Sequence, residues 1–267
     1  IVDESPFFNY ILEGLNSSLT DYGYNLSFVY MNRSTPLEVQ EMQLRSSDCK
    51  GFLIFGVEMQ REDLQVFIDT GLPFVVLDNS FQDSDVDSVS INNFQGISKA
   101  MQYAYDMGHR EIGYIRCRER ITSFSERYQA YKNCMKKFGL KIKESYIWDV
   151  NYSEKTIREE VGKYLSENNE NPTIFIAEND FIACHAIHGM QDNGYRVPED
   201  ISVIGFDDRP VCQMIVPSVT TVNVPKNAFG SAAVELLMEK MQNPREYSMK
   251  TEIGTKLIIR KSVSQLK

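Results

Sequence analysis

The sequence predicts an α/β protein with two lobes, each containing a doubly wound parallel sheet. Apolar runs of about five residues, typical of buried strands, alternate along the 267-residue chain with segments of helical periodicity. Long linkers are nearly absent, and several helical segments end at a glycine. Because so many strands would make one very wide sheet, two smaller sheets are the better prediction.

The first part of the chain begins with a capped helix. Ser5 can cap it, Pro6 at its first turn sacrifices no hydrogen bond, and Gly23 ends it. The apolar pair Ile1-Val2 in front of this helix suggests the tail of a strand. The elements predicted next are a strand over 25–31, a helix over 36–46, a strand over 51–55, a helix over 61–70 and a strand over 73–77.

The same alternation continues to the end of the chain. Helices are predicted over 93–107, 125–138, 153–167, 180–193 and 226–241. Strands are predicted over 111–115, 146–150, 173–177, 201–206 and 256–260. Ligands of such folds bind beyond the carboxyl ends of the strands, and a cleft between two lobes would collect those ends from both sides.

Composition narrows the function classes. No apolar run approaches the roughly 20 residues that cross a bilayer, so no membrane association is expected. The net charge of −9 without a basic run predicts that these residues alone bind nucleic acid poorly. An odd, scattered set of cysteines predicts reduced core thiols and a cytoplasmic protein, at positions Cys49, Cys117, Cys134, Cys184 and Cys212.

The motifs of common enzyme classes are missing from the sequence. It contains no GxSxG elbow, no phosphate-binding P-loop and no GxGxxG fingerprint. The carboxylates Glu178, Asp180, Asp207 and Asp208 could be imagined as a glycosidase pair, but nothing in the sequence singles out an acid with a raised pKa. We interpret them as caps and ligand acceptors, and we predict no enzymatic activity and no cofactor.

Two sequence blocks carry a family resemblance. VPEDISVIGFDD at 197–208 and PSVTTV at 217–222 closely resemble the lactose/purine-repressor family. Weaker collinear matches include SPFF at 5–8, GHREIG at 108–113, ER at 126–127 and TKLIIRKSV at 255–263. The resemblance covers essentially the whole chain, and the 197–222 block is highly specific.

The resemblance implies the effector-binding and dimerisation domain of a bacterial transcriptional repressor. Its fold would be that of type I periplasmic binding proteins, with a DNA-proximal lobe of 1–91 plus 223–255 and a second lobe of 92–222 plus 256–267, joined by a three-stranded hinge. The family's DNA-binding helix-turn-helix is missing from this sequence, so operator DNA would be bound through an N-terminal domain absent here. A homodimer, paired through the first helices, is implied as well.

The resemblance also implies site residues for a small-molecule effector. Phe7 and Phe8 would begin the first helix in the cleft and could stack on a sugar ring or a base, although Phe8 also fits the helix's apolar stripe as the better core candidate. Arg127 would clamp hydroxyls or a carboxylate with its planar guanidinium, unless it is an ordinary surface arginine. Asp207 would accept hydrogen bonds from vicinal hydroxyls, or cap the following turn.

Further lining positions follow the other strands. Asn179 matches the asparagine of the family's ND motif, and a helix N-cap is an equally good interpretation of it. Asp78, Asn79 and Tyr152 follow predicted strands, where turn residues are plentiful. His185 departs from the small residue that is common in the family, and with His188 it could form a metal pair; no third ligand is evident, so no metal is predicted.

A sugar is the expected effector, because aromatic stacking combined with Arg, Asp and Asn holds rings that carry many hydroxyls. A purine or another metabolite is the alternative ligand. The alternative function is a periplasmic sugar-binding protein of a transporter, which shares the fold. A third hypothesis, an enzyme, would require turnover of a bound sugar.

Overall fold

The computed structural model describes residues 6–31, 35–46, 48–168 and 170–266. The chain divides into two compact units. The large unit contains Asn92–Val224 and Gly254–Lys267, and the small unit contains Phe7–Ile91 and Pro225–Ile253. The chain passes from one unit to the other after Ile91, Val224 and Ile253, and the lobe boundaries drawn from the sequence stay a prediction.

The described elements alternate between helix and strand, as the sequence predicts. The helices are α1 (Pro6–Asp21), α2 (Leu37–Ser46), α3 (Gln65–Ile68), α4 (Asn93–Asp106), α5 (Thr122–Lys137), α6 (Glu154–Glu167), α7 (Asp180–Asp192), α8 (Val211–Met214) and α9 (Lys226–Gln242). The strands are β1 (Phe52–Phe55), β2 (Phe74–Leu77), β3 (Asp87–Ile91), β4 (Ile112–Cys117), β5 (Ile147–Val150), β6 (Ile174–Ala177), β7 (Ser202–Asp207), β8 (Thr220–Asn223), β9 (Lys250–Ile253) and β10 (Lys256–Ile258). Short 3₁₀ turns cover Arg61–Leu64 and Glu144–Tyr146.

The small unit contains a four-stranded parallel sheet with the order β1-β2-β3-β9. Strand β2 is completely buried, as expected for a parallel strand covered on both faces. Ile11, Leu15 and Leu19 form the buried stripe of α1. Helices α1 and α9 approach so closely that a Cβ on Gly14 would collide with the backbone of Asn227. The lack of a side chain at Gly14 therefore allows the two helices to pack this closely.

One predicted strand of the small unit is wrong. Residues 25–31 form no strand and pair with none of the described strands. Phe28 is exposed, and Tyr30 is 94% exposed. The apolar pattern of this segment resembles a strand, but a strand requires a hydrogen-bonded neighbour, which the described residues do not offer it. The proposed strand at Ile1-Val2 lies outside the described residues.

The large unit contains a six-stranded sheet with the order β10-β8-β7-β6-β4-β5. All neighbours in it are parallel except β10, which runs antiparallel to β8. Strands β6 and β7 are buried along their whole length. This arrangement confirms the predicted fold class, an alternating α/β protein with parallel sheets. The carboxyl ends of β4 to β8 therefore meet at one edge of the sheet.

Within the described residues, no helix is long and apolar enough to cross a membrane.

All five cysteines are free thiols, and all but Cys49 are buried. Their burial agrees with the prediction of core thiols.

Candidate ligand-binding site

The carboxyl end of β7 carries an unusual backbone turn. Asp207 ends this strand with a φ of +107°, and Asp208 follows with a φ of +52°. Residues other than glycine rarely adopt positive φ, and strain of this kind concentrates at functional sites. Asp208 accepts hydrogen bonds from Arg260 Nη2 at 2.6 Å and Asn223 Nδ2 at 2.9 Å, so it fastens the turn to its neighbours in the sheet.

Arg127 of α5 reaches the same edge and is only 3% exposed. Its Nη2 lies 3.3 Å from Asp207 Oδ1, and its Nη1 donates to the backbone oxygen of Glu178 at 2.7 Å. The guanidinium carbon lies 3.8 Å from the centre of the Phe206 ring, a cation–π distance. The alternative of a surface arginine is therefore excluded, and a buried cation stands beside a carboxylate at the end of β7.

Asn93, the first residue of α4, joins Arg127 to a second carboxylate. Arg127 Nε donates to Asn93 Oδ1 at 2.8 Å, and Asn93 Nδ2 donates to Glu126 Oε2 at 2.8 Å. The Asn93 side chain is 2% exposed. Asn93 was not predicted as a site residue, because an asparagine beside a helix start is ordinarily interpreted as a cap.

Two buried acidic residues, Glu178 and Asp180, follow the end of β6. Glu178 accepts hydrogen bonds from the Cys117 backbone nitrogen at 2.6 Å and from Arg120 Nη1 at 3.1 Å. Burial raises the pKa of Glu178 to about 8, since desolvation disfavours the charged carboxylate. Asp180 accepts from Thr221 Oγ1 and from the Arg209 backbone nitrogen, and burial together with the nearby Asp207 charge raises its pKa to about 7. The sequence alone gave no sign of these raised pKa values.

Asn179 and Tyr152 lie at the same edge and contact each other. Asn179 Oδ1 accepts from the Ile182 backbone nitrogen at 3.0 Å, so this side chain is the N-cap of α7. Its Nδ2 donates to Tyr152 Oη at 3.0 Å. The Tyr152 ring stacks on Phe181 with centroids 4.6 Å apart. The N-cap interpretation of Asn179 is therefore confirmed, and its contact with a ligand stays a prediction, since a capping side chain can also border a ligand. Phe181 was not predicted from the sequence.

The histidine pair on α7 shows no metal geometry. The rings of His185 and His188 have centroids 6.1 Å apart, and His185 Nδ1 lies 3.9 Å from Glu154 Oε1. Burial lowers the pKa of His185. Among the described residues, no group of three or more potential ligands could hold a metal ion.

In the small unit, the two phenylalanines at the start of α1 differ in burial. Phe7 is buried, whereas Phe8 is half-buried and packs edge-on against Phe55, with centroids 5.4 Å apart. The expectation that Phe8 is the better core candidate is therefore wrong. Helical position alone did not reveal this, because Phe7 packs beside Lys226 at the start of α9, which is distant in sequence.

The two polar residues after β2 have different surroundings. Asn79 donates through Nδ2 to the Gly56 and Met59 backbone oxygens and accepts from the Phe81 backbone nitrogen. Its buried side chain thus holds the loop together, and its role toward a ligand stays a prediction. Asp78 has a φ of +61°, and its backbone nitrogen donates to Val89. This second strained position directly follows the carboxyl end of β2, as Asp208 follows that of β7 in the large unit.

The fold and these sites define a class of protein. Parallel sheets whose carboxyl ends carry buried charged groups and strained turns are typical of α/β proteins that bind small ligands. A family model described as "Periplasmic binding protein-like domain" matches residues 101–263, more than half of the chain. The chain belongs to this family.

Relatives with reviewed names cover nearly the whole chain. The HTH-type transcriptional repressor PurR of Pasteurella multocida (strain Pm70) is 29% identical over 262 residues, which are 97% of this chain and 78% of that protein. The repressor of the same name from Pectobacterium carotovorum subsp. carotovorum (strain PC1) is 29% identical over 98% of this chain and 77% of its own length. These relatives are transcriptional repressors, which favours a regulator's effector-binding domain over a transporter's binding protein.

Solved structures agree on the fold. The complex of the transcriptional regulator CelR with cellobiose has a TM-score of 0.86 at 23% identity, covering 97% of this chain and 79% of that chain. A LacI family transcriptional regulator from Enterococcus faecium with bound ribose has a TM-score of 0.84 at 21% identity, covering 99% of this chain and 97% of that chain. At these identities the likeness shows the fold.

Proposed function

We propose that this chain is the effector-binding domain of a transcriptional regulator and that its large unit holds a sugar at Arg127 and Asp207. The observation that carries the proposal is the Arg127–Asp207 pair at the carboxyl end of β7, with Nη2 and Oδ1 3.3 Å apart. A guanidinium supplies several donors, and a carboxylate accepts from hydroxyl groups. Neighbouring hydroxyls of a sugar match such a donor and acceptor placed side by side.

Aromatic side chains support this ligand class. Tyr152 stacks on Phe181 at the same edge of the sheet, and the face of an aromatic ring suits the apolar face of a sugar or base. We include Tyr152 and Asn179 in the proposed site. In the small unit we propose four further ligand contacts: Phe7, Phe8, Asp78 and Asn79. Phe8 and Asp78 are preferred, because Phe7 is buried and the Asn79 side chain is already hydrogen-bonded to backbone groups.

Two of the structural relatives are named with a bound sugar, ribose in one and cellobiose in the other. A purine is the second candidate ligand, as the alternative that the family resemblance leaves open. We further propose that the ligand changes operator binding through an N-terminal DNA-binding domain, that the chain dimerises through α1, that it is not an enzyme and that it acts in the cytoplasm.

A thermal-shift screen tests the ligand. D-ribose, cellobiose and hypoxanthine are added separately, because a ligand that binds only the folded protein at about 100 times its Kd stabilises it by about 2.7 kcal/mol. This corresponds to a rise in Tm of about 5–10 °C. A rise in Tm with either sugar supports the proposal. A rise in Tm with hypoxanthine alone would show that the ligand is a purine and not a sugar.

The site assignment needs a matched pair of variants. Arg127→Lys keeps the charge but loses the planar fork, so the sugar-induced rise in Tm is expected to disappear. Arg110→Lys is the control, since Arg110 covers the Tyr105 ring and donates to backbone oxygens outside the site. An undiminished rise in Arg127→Lys would remove Arg127 from the site. Release of a new product from either sugar, detected by chromatography, would revive the enzyme hypothesis.

A further inference from the structure

We propose that Asn93, itself held by Glu126, is a positioning residue that fixes the Arg127 guanidinium so that only its Nη edge is available to a ligand. The inference rests on the proposed function for the identity of the ligand. It goes beyond that function because it assigns a role to two residues that do not themselves contact the ligand.

The orientation of the Asn93 amide follows from its two partners. The Arg127 guanidinium can only donate, so the atom facing Nε at 2.8 Å must be the amide oxygen. The Glu126 carboxylate accepts, so the amide nitrogen faces its Oε2 at 2.8 Å. The chain Arg127 → Asn93 → Glu126 therefore runs in one direction, and no flip of the amide satisfies both partners.

The Asn93 side chain is not required to start α4. The N-cap of this helix is Asn92, whose side chain accepts from the Gln95 backbone nitrogen at 2.8 Å. Asn93 comes one residue later, and its amide points to Arg127 and Glu126 instead. Burying an amide costs free energy unless it is hydrogen-bonded, and these two hydrogen bonds offset that cost for Asn93.

The consequence for Arg127 follows from counting its donors. A guanidinium has five N–H groups. Within the described residues, Nε donates to Asn93, Nη1 to the Glu178 backbone oxygen, and Nη2 faces Asp207 Oδ1. Nη1 and Nη2 each keep one further N–H, whereas the edge that includes Nε is closed. A ligand oxygen would therefore bind Arg127 through Nη1 or Nη2 and not through Nε.

The first test observes Arg127 directly and needs no ligand. In a ¹H–¹⁵N NMR spectrum, a buried and hydrogen-bonded Arg Nε–H gives a slowly exchanging signal, which is assigned to Arg127 by its loss in Arg127→Lys. Asn93→Leu should shift this signal and speed its hydrogen exchange by about tenfold or more. Asn92→Ala is the matched control: it removes the cap of the same helix and should leave the signal in place.

A double variant separates positioning from packing. Asn93→Asp alone sets two carboxylates against each other, so it should disturb the Arg127 signal. Asn93→Asp combined with Glu126→Gln restores an acceptor for Nε and a donor behind it, so it should return the signal and the slow exchange. An Nε–H signal unchanged in Asn93→Leu, or not rescued in the double variant, would overturn the proposal.

Calorimetric titration with D-ribose and cellobiose completes the experiment. The Kd of the sugar that binds is expected to rise about tenfold in Asn93→Leu, to recover in the double variant and to stay within about twofold in Asn92→Ala. Equal affinity in Asn93→Leu and in the unaltered protein would also overturn the proposal. If the unaltered protein binds neither sugar, the proposed function fails, while the NMR comparison still decides the role of Asn93.

Discussion

The Arg127 guanidinium lies over the Phe206 ring, with 3.8 Å between its central carbon and the ring centre. Phe206 immediately precedes Asp207 on β7, so one short stretch of strand provides both the surface under the guanidinium and the carboxylate beside it. A displacement of the Phe206 ring is therefore expected to change the distance between the two charges.

Gly96 of α4 controls that ring. A Cβ at this position would lie 2.5 Å from Phe206 Cε2, closer than the packed ring allows. Gly96→Ala should displace Phe206 and with it Arg127, costing about 1–3 kcal/mol of unfolding free energy and weakening sugar binding. Urea denaturation and calorimetric titration measure the two effects. Gly139→Ala is a useful comparison because no atom lies within 4 Å of its Cβ position, although its φ of +68° adds strain. Equal sugar affinity in Gly96→Ala and the unaltered protein would contradict the link.

The Arg127–Asp207 pair should also contribute to stability. Arg127→Ala leaves the Asp207 carboxylate, the Glu178 carbonyl and the Asn93 amide without this partner in a buried setting. Loss of one member of a buried pair typically costs about 3–5 kcal/mol. Urea denaturation should show a loss in this range for Arg127→Ala and a smaller one for Asp207→Asn, which keeps an acceptor. A loss below about 1 kcal/mol for Arg127→Ala would mean that water replaces the guanidinium.

Lys250, the first residue of β9, stabilises the loop before β3. Its Nζ lies within hydrogen-bond distance of four backbone oxygens, those of Ser80, Phe81, Ser84 and Val86, at 2.6–3.2 Å. Lys250→Met removes these contacts, two of which are part-buried, and should lower the unfolding free energy by about 1–3 kcal/mol, measured by urea denaturation. Lys50→Met, at an exposed lysine of the same unit, should change it by less than about 0.5 kcal/mol. Similar losses in the two variants would show that the four contacts contribute nothing.

Glu178 and Asp180 predict how stability depends on pH. Their pKa values are raised to about 8 and about 7, so in the folded protein they bind protons that the unfolded chain releases near pH 4. The unfolding free energy should therefore fall as the pH rises from about 5 to about 8, by at most about 1.4 kcal/mol per pH unit for each group. Glu178→Gln should flatten this decline, whereas Glu167→Gln, at an exposed position, should not. Urea denaturation at several pH values measures it, and a stability that rises over this range would reverse the assignment.

Periodicity located most of the elements because buried parallel strands and amphipathic helices leave strong local patterns. Strand β6 reads IFIA and is fully buried, and the stripe of α1 repeats at helical spacing. Three strands were not predicted, because their polar residues hide the pattern: β3 (DSVSI), β8 (TTVN) and β9 (KTEI). Asp87 of β3 is buried only because Arg245 and Lys240 of the α9 region pair with it across a long sequence separation.

The residues of the candidate site were likewise predictable only in part. The family resemblance pointed to Arg127, Asp207, Asn179 and Tyr152, and the structure brings these four residues to the carboxyl edge of one sheet. The resemblance could not supply Asn93, because an asparagine near a helix start ordinarily signals a cap. Its contacts with Arg127 and Glu126 exist only because α4 and α5 pack against each other.

The amino-acid sequence by itself determined the α/β alternation, the parallel sheets and the residue types placed after the strands, since these depend on local periodicity and turn chemistry. Only the tertiary structure decided which phenylalanine of the first helix is buried, that residues 25–31 form no strand, and that a buried amide closes one edge of Arg127. The physical reason is that burial, pairing and pKa depend on neighbours distant in sequence, and local patterns carry no information about them.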